Sequence, residues 1–136
     1  MSFALDPKLE ADTLPAIELE LSTMRLMNDA RYAWLILVPR QDGLVELTDL
    51  AHQDRHRLTD EIDAVSLALS AVVGAYKMNV AALGNAVRQL HVHVIARHEG
   101  DPAWPGPVWG VGAAMSYDAK TSAALIKALQ QRLTGD

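Results

Sequence analysis

Cysteine is absent from this 136-residue chain. That excludes a disulfide framework and a thiolate metal site, and it suits a reducing, cytoplasmic setting. Also missing is any uninterrupted apolar run near the roughly 18 residues that a membrane span needs. The opening MSFALDPKLEADTLP has no basic stretch followed by an apolar one, so no secretory signal is expected. Positive charge is in deficit: 12 Lys and Arg against 17 Asp and Glu leave a net charge of −5. Such a chain is a poor sequence-independent ligand for a nucleic-acid backbone, though local backbone dipoles still admit a small anion. Internal repeats and low-complexity tracts are lacking too. What remains, 50% hydrophobic and 21% charged residues, predicts one globular domain spanning residues 1–136 around one core.

The most informative stretch is Gln89-Leu90-His91-Val92-His93-Val94-Ile95-Ala96-Arg97. Its first six residues alternate polar and apolar, the period of a half-buried strand. Gln89, His91 and His93 then share one face, about 6–7 Å apart in succession, and Leu90, Val92 and Val94 anchor the other. Imidazole loses its proton near neutral pH, so a rigid row of two can serve as nucleophile, base or ligand.

Around this run the pattern predicts an α+β domain, an antiparallel sheet covered by a long helix and a C-terminal helix. Residues 1–15 read as a lead-in. Alternation from Ile17 predicts a strand running to about Met27, then a turn at Asn28–Arg31 and a buried strand over Tyr32–Val38. The two strands form a hairpin. A long helix is expected over Asp54–Val73, with Leu58, Ile62, Val65, Leu69 and Val72 as its apolar seam and Gly74 as its stop. The seam reads first as core packing and second as a dimer surface. Further strands are expected at Met78–Leu83, Gln89–Arg97 and, as an edge, Val108–Val111. Gly84-Asn85-Ala86 makes a tight turn, and Asp118 caps a final helix with a stripe of Ser122, Leu125, Leu129 and Leu133.

The central run resembles the signature of the histidine triad (HIT) family, in which three histidines alternate with apolar residues. Aligned on Ile95 and Arg97, His91 takes the place of the central histidine and His93 the last, while Gln89 stands where the first would be. The resemblance covers roughly residues 15–100. It implies a nucleotide as substrate, a homodimer paired through the long helix and a strand, and no metal cofactor. His91 would be the nucleophile that forms a nucleotidyl-histidine on an α-phosphate. His93 would donate to phosphate oxygens or assist the leaving group. Gly84, Asn85 and Ala86 match the loop that wraps the phosphate, Asn28 and Asp29 the hairpin turn that meets the ribose, and Asn79 a further position near the site. Gln89 lends its backbone carbonyl to the His91 ring.

This sequence departs from the family pattern at three places: Gln89 for the first histidine, Ala86 for a common Ser or Thr, and Trp34 for a common hairpin histidine. These departures favour, as the alternative to a hydrolase or transferase, a binding module that keeps the pocket without useful turnover. A two-histidine metal site completed by His98, Glu99 or Asp101 is a third reading. Trp104 and Trp109 read as buried structural residues that also lie where they can close over the site.

Overall fold

The computed structural model describes residues 3–135. In chain order it contains α1 (Pro7–Asp12), β1 (Thr13–Glu18), β2 (Ser22–Met27), β3 (Ala33–Pro39), a 3-10 turn (Leu47–Asp49), α2 (His52–Val73), β4 (Lys77–Ala81), β5 (Val92–Arg97) and α3 (Ala119–Thr134). The strands make one antiparallel sheet in the order β1-β2-β3-β5-β4. Among the described residues no helix is long and apolar enough to cross a membrane.

Parity explains how the sheet acquires two faces. Leu35 and Leu37 of β3 and Val94 and Ala96 of β5 point to one side, where Val65, Ala68 and Leu69 of α2 and Leu129 of α3 meet them. Trp34, Ile36 and Ile95 point to the other side, covered by Leu9 of α1 and by Val108. Each fully buried Leu, Ile or Val contributes about 1.5–3 kcal/mol before the entropy of ordering is subtracted. The α2 seam belongs to this core: Leu58, Val65 and Leu69 are buried, with Ile62 and Val72 packed at its margin. Its buried members are thus engaged within the chain, as the core reading expects. Gly74 ends α2 at φ +65°, and the Asp118 carboxylate accepts from the Thr121 N–H to cap α3.

Three expectations need correction. The lead-in holds a short helix, capped by Asp6 and started by Pro7, and the first half of β1. The strand expected from Ile17 to Met27 is two strands, joined where the Leu19 N–H donates to the Ser22 carbonyl. The sequence carried a sign of that break. Apolar residues sit at odd positions 17, 19 and 21 and at even positions 24 and 26, and a strand that keeps one buried face cannot change parity. Val108–Val111 forms no strand. Gly110 and Gly112 take φ of +81° and +62°, outside the extended region, and Val108 instead plugs the second core.

Candidate active site

Both histidines lie on the sheet face away from α2. Pairing on β5 begins at Val92, opposite Leu37, with His93 opposite Ile36 on one side and Ala81 on the other. Gln89–His91 precede the strand: β4 ends at Ala81, opposite His93, and pairing with β3 stops at Leu37 although β3 itself runs on to Pro39. Leu90 is held instead by its N–H to the Leu44 carbonyl. The anchoring that the alternation predicts is present: Leu90, Val92 and Val94 are buried behind the histidines.

The His91 ring lies 2.7 Å, Nδ1 to oxygen, from the Gln89 carbonyl. A carbonyl only accepts, so Nδ1 carries a proton, and in the neutral ring the lone pair sits on Nε2. Nε2 has no hydrogen-bond partner among the described residues and is not sealed from solvent. The His91 ring lines a hollow of about 90 Å³ together with Gly84, Asn85, Glu46 and Arg88, among others. Gly84 is fixed by this ring. A Cβ there would stand 2.5 Å from the Val87 carbonyl oxygen and 2.8 Å from His91 Cε1. Gly84→Ala is therefore expected to push the ring or the loop aside at a cost of about 1–3 kcal/mol. The His91 ring resonances should move in a proton–nitrogen NMR spectrum. Unchanged His91 resonances together with an unchanged Tm would show that the loop absorbs the methyl group freely.

His93 is bound differently. Trp34 donates its Nε1–H to His93 Nδ1 at 3.0 Å, and the Leu83 carbonyl lies 2.8 Å from Nε2. Indole is a donor only, so Nδ1 must accept and Nε2–H must donate. Burial pushes this imidazole down to about 4; the Leu83 carbonyl resists the shift and the neighbouring His91 adds to it. Both ring nitrogens are thus occupied within the protein, so in this arrangement His93 has no N–H to offer a phosphate. The Trp34 indole satisfies the ring from the hairpin. His93 also stands between rings, its centroid 4.9 Å from those of both His91 and Trp109.

Beyond that wall lies a cavity of about 440 Å³, lined by Trp34, Trp109, Asn28, Asp29, Arg31 and Met27 among others. The two histidines therefore lie on one aromatic bridge between a small polar hollow and a larger, mixed cavity. The volume is that of a small-molecule site. The fold has counterparts in known proteins. The HIT domain family matches residues 8–100. The chain belongs to the HIT family. Its fold is similar to that of a HIT protein from Sinorhizobium meliloti at 48% identity and a TM-score of 0.95, covering 96% of this chain and 97% of that one. A HIT protein from Bradyrhizobium japonicum is 44% identical, with a TM-score of 0.96 and coverage of 98% and 99%. One from Marinobacter aquaeolei is also 44% identical, with a TM-score of 0.95 and coverage of 99% and 98%. A comparison with curated proteins returned no match.

Other HIT positions are placed less directly. The Gln89 side chain turns to the N-terminal segment, accepting from the Asp6 N–H at 2.8 Å and donating to the Ala4 carbonyl at 2.9 Å. Only its backbone serves His91, so the side chain is a strap. Asn28 accepts from the Tyr117 N–H, and Asn79 accepts from Arg97. Asp29 is nearly filled: Oδ1 accepts from Arg31 N, Arg31 Nε and Met115 N, while Oδ2 pairs with Arg31 at 2.8 Å. Burial would raise its pKa, but the Arg31 and Met115 hydrogen bonds outweigh that and hold the carboxyl below its ordinary range. Asn85 lines the hollow, and Ala86 is exposed beside it. The alternative metal set loses Asp101, whose oxygens both go to Arg97.

Sequence reasoning missed Arg31, Arg88 and the Leu83 carbonyl. For Arg31 a local sign existed, because an Asp two residues ahead of a donor commonly forms an Asx turn. For Arg88 the sign was a basic residue flanking the loop. For the Leu83 carbonyl there was none, since any residue carries one.

Proposed function

We propose that this HIT protein is a nucleotide hydrolase or nucleotidyl transferase that works through a covalent adduct on His91. One observation carries the reading: His91 Nδ1–H is tied to the Gln89 carbonyl, which leaves Nε2 unpartnered in a ring that lines the polar hollow. The α-phosphate occupies that hollow, where Arg88 and the N–H groups of residues 84–86 meet its charge. The nucleoside extends past the Trp109 ring into the larger cavity beside Asn28 and Asp29.

The Nε2 lone pair attacks phosphorus as the bond to the leaving group breaks, and the leaving group takes its electron pair and a proton from solvent. The Nε2–P bond makes the ring cationic, which strengthens the existing Nδ1–H bond to Gln89. Water or another acceptor then attacks phosphorus, loses its proton, and returns the electron pair to Nε2. His93 acts as a positioning residue, holding Trp34 and Trp109 against His91. Incubation with nucleoside phosphoramidates and dinucleoside polyphosphates, trapped at high pH and read by intact-protein mass, tests the chemistry. A base-stable adduct of one nucleotidyl group is the expected result.

A second reading, a nucleotide-binding module with little turnover, is favoured by the engagement of both His93 nitrogens. It predicts nucleotide affinity without adduct or product.

The homodimer is proposed to form along β4. This strand ends the sheet with one side unpaired, and Tyr76 and Val80 beside it are 64% and 48% exposed. An open, apolar edge is a template for another strand. Val80→Glu is expected to convert a dimer into monomer with little change in fold. A native protein that sediments as a single chain across a wide concentration range would reject the dimer.

A further inference from the structure

The described residues bring together a second imidazole pair, away from the sheet. His52 and His56 lie one turn apart on α2, both exposed, with Nε2 atoms 3.1 Å apart and ring centroids 4.4 Å apart. Helix geometry puts residues i and i+4 one above the other on the same face. They border a surface hollow of about 440 Å³ that Arg55, Thr59 and Asp60 also line, and His91 lines a different one.

In the absence of other ligands one ring donates its Nε2–H to the other. The same separation also suits a chelate. Two metal–nitrogen bonds of about 2.0–2.1 Å closing across that distance enclose roughly 95–100°. This lies between the right angle of a square or octahedral site and the tetrahedral angle. A small rotation of each ring then turns both lone pairs to one centre.

We propose that His52 and His56 form a bidentate surface site for a divalent transition-metal ion of the copper, nickel and zinc class. Imidazole favours these ions, whereas magnesium and calcium take oxygen ligands. Among the described residues no three His, Asp or Glu side chains converge to hold a metal, so water fills the remaining positions. Coordination closes a ring over the first turns of α2. The N-cap there, Ala51, supplies no side-chain hydrogen bond. An ion that binds only the folded helix raises the melting temperature, by an amount that grows with the logarithm of its concentration relative to Kd.

Tag-free, metal-stripped protein is titrated calorimetrically with copper, nickel, zinc and magnesium salts, and melting curves are recorded alongside. One ion per chain is expected, tightest for copper, with no response to magnesium. His52→Ala and His56→Ala should each weaken binding at least tenfold and cancel the rise in Tm, while His91→Ala should keep both. The substituted positions are exposed and alanine is the best helix former, so the variants retain the fold. Absence of binding, survival of binding in the double variant, or its loss in His91→Ala would each overturn the site.

Discussion

His91→Ala is expected to lower nucleotide turnover by at least about a thousandfold while leaving nucleotide affinity within about tenfold. The imbalance follows from where the ring acts. His91 is fixed by the Gln89 carbonyl, walled by Gly84 and backed by buried Leu90 and Val92, so little motion remains to be frozen at the moment of attack. In the proposed mechanism its bond to phosphorus would exist only from the transition state onward, whereas the cavities proposed to hold the nucleotide do not need it. The adduct seen by intact mass should vanish in the same variant. His93→Ala makes an instructive contrast, because it strands the buried Trp34 N–H and removes the partner of the Leu83 carbonyl, and so reduces stability as well as rate. Wild-type turnover in His91→Ala, measured on protein free of contaminating hydrolases, would end the covalent mechanism.

The second large effect concerns stability. Arg97 is 1% exposed, and its guanidinium meets Asp101 at 2.8 and 2.9 Å and Asn79 at 2.8 Å, while lying over the Tyr32 and Trp104 rings. Asp101→Ala leaves that cation buried without its counter-ion, which costs about 3–5 kcal/mol. The melting temperature should fall by about 10 °C or more. Asp12→Ala, which removes only an exposed pair with Lys8, should cost no more than about 1 kcal/mol. The wild-type protein should show the same interaction as a pH dependence. The Arg97 hydrogen bonds, opposed by burial and aided by the His98 and Ala103 N–H groups, hold the Asp101 carboxyl at about 2, against an ordinary 3.8. A folded value below the unfolded one means that the stabilisation, about 2 kcal/mol, is complete above the unfolded value. It is lost as pH falls from about 4 toward 2. Urea midpoints that fall across this window in wild type but stay flatter in Asp101→Ala are the expected result. Asp101 also orders the turn leading to Trp109, so loss of nucleotide affinity should accompany the loss of stability.

The sequence by itself determined what depends on periodicity and on single-residue conformational preference. The Leu58–Val72 seam specified α2 and the side it buries, Gly74 and Asp118 marked helix limits, and alternation from Leu90 to Val94 set which face carries the histidines. Those signals are local, because a side chain's face follows from its own position in a helix or strand. The family, too, was legible in nine residues. Tertiary structure decided what each polar group meets. Nothing near Gln89 in sequence reveals that its amide would bind Ala4 and Asp6, more than 80 positions away. Nor does the run around His93 announce a Trp34 donor on the neighbouring strand, 59 positions away. A hydrogen bond is a short-range contact between groups that the fold brings together from distant parts of the chain. Sequence could name the histidines of this site, and only the folded chain could show that one is free to react and the other is already bound.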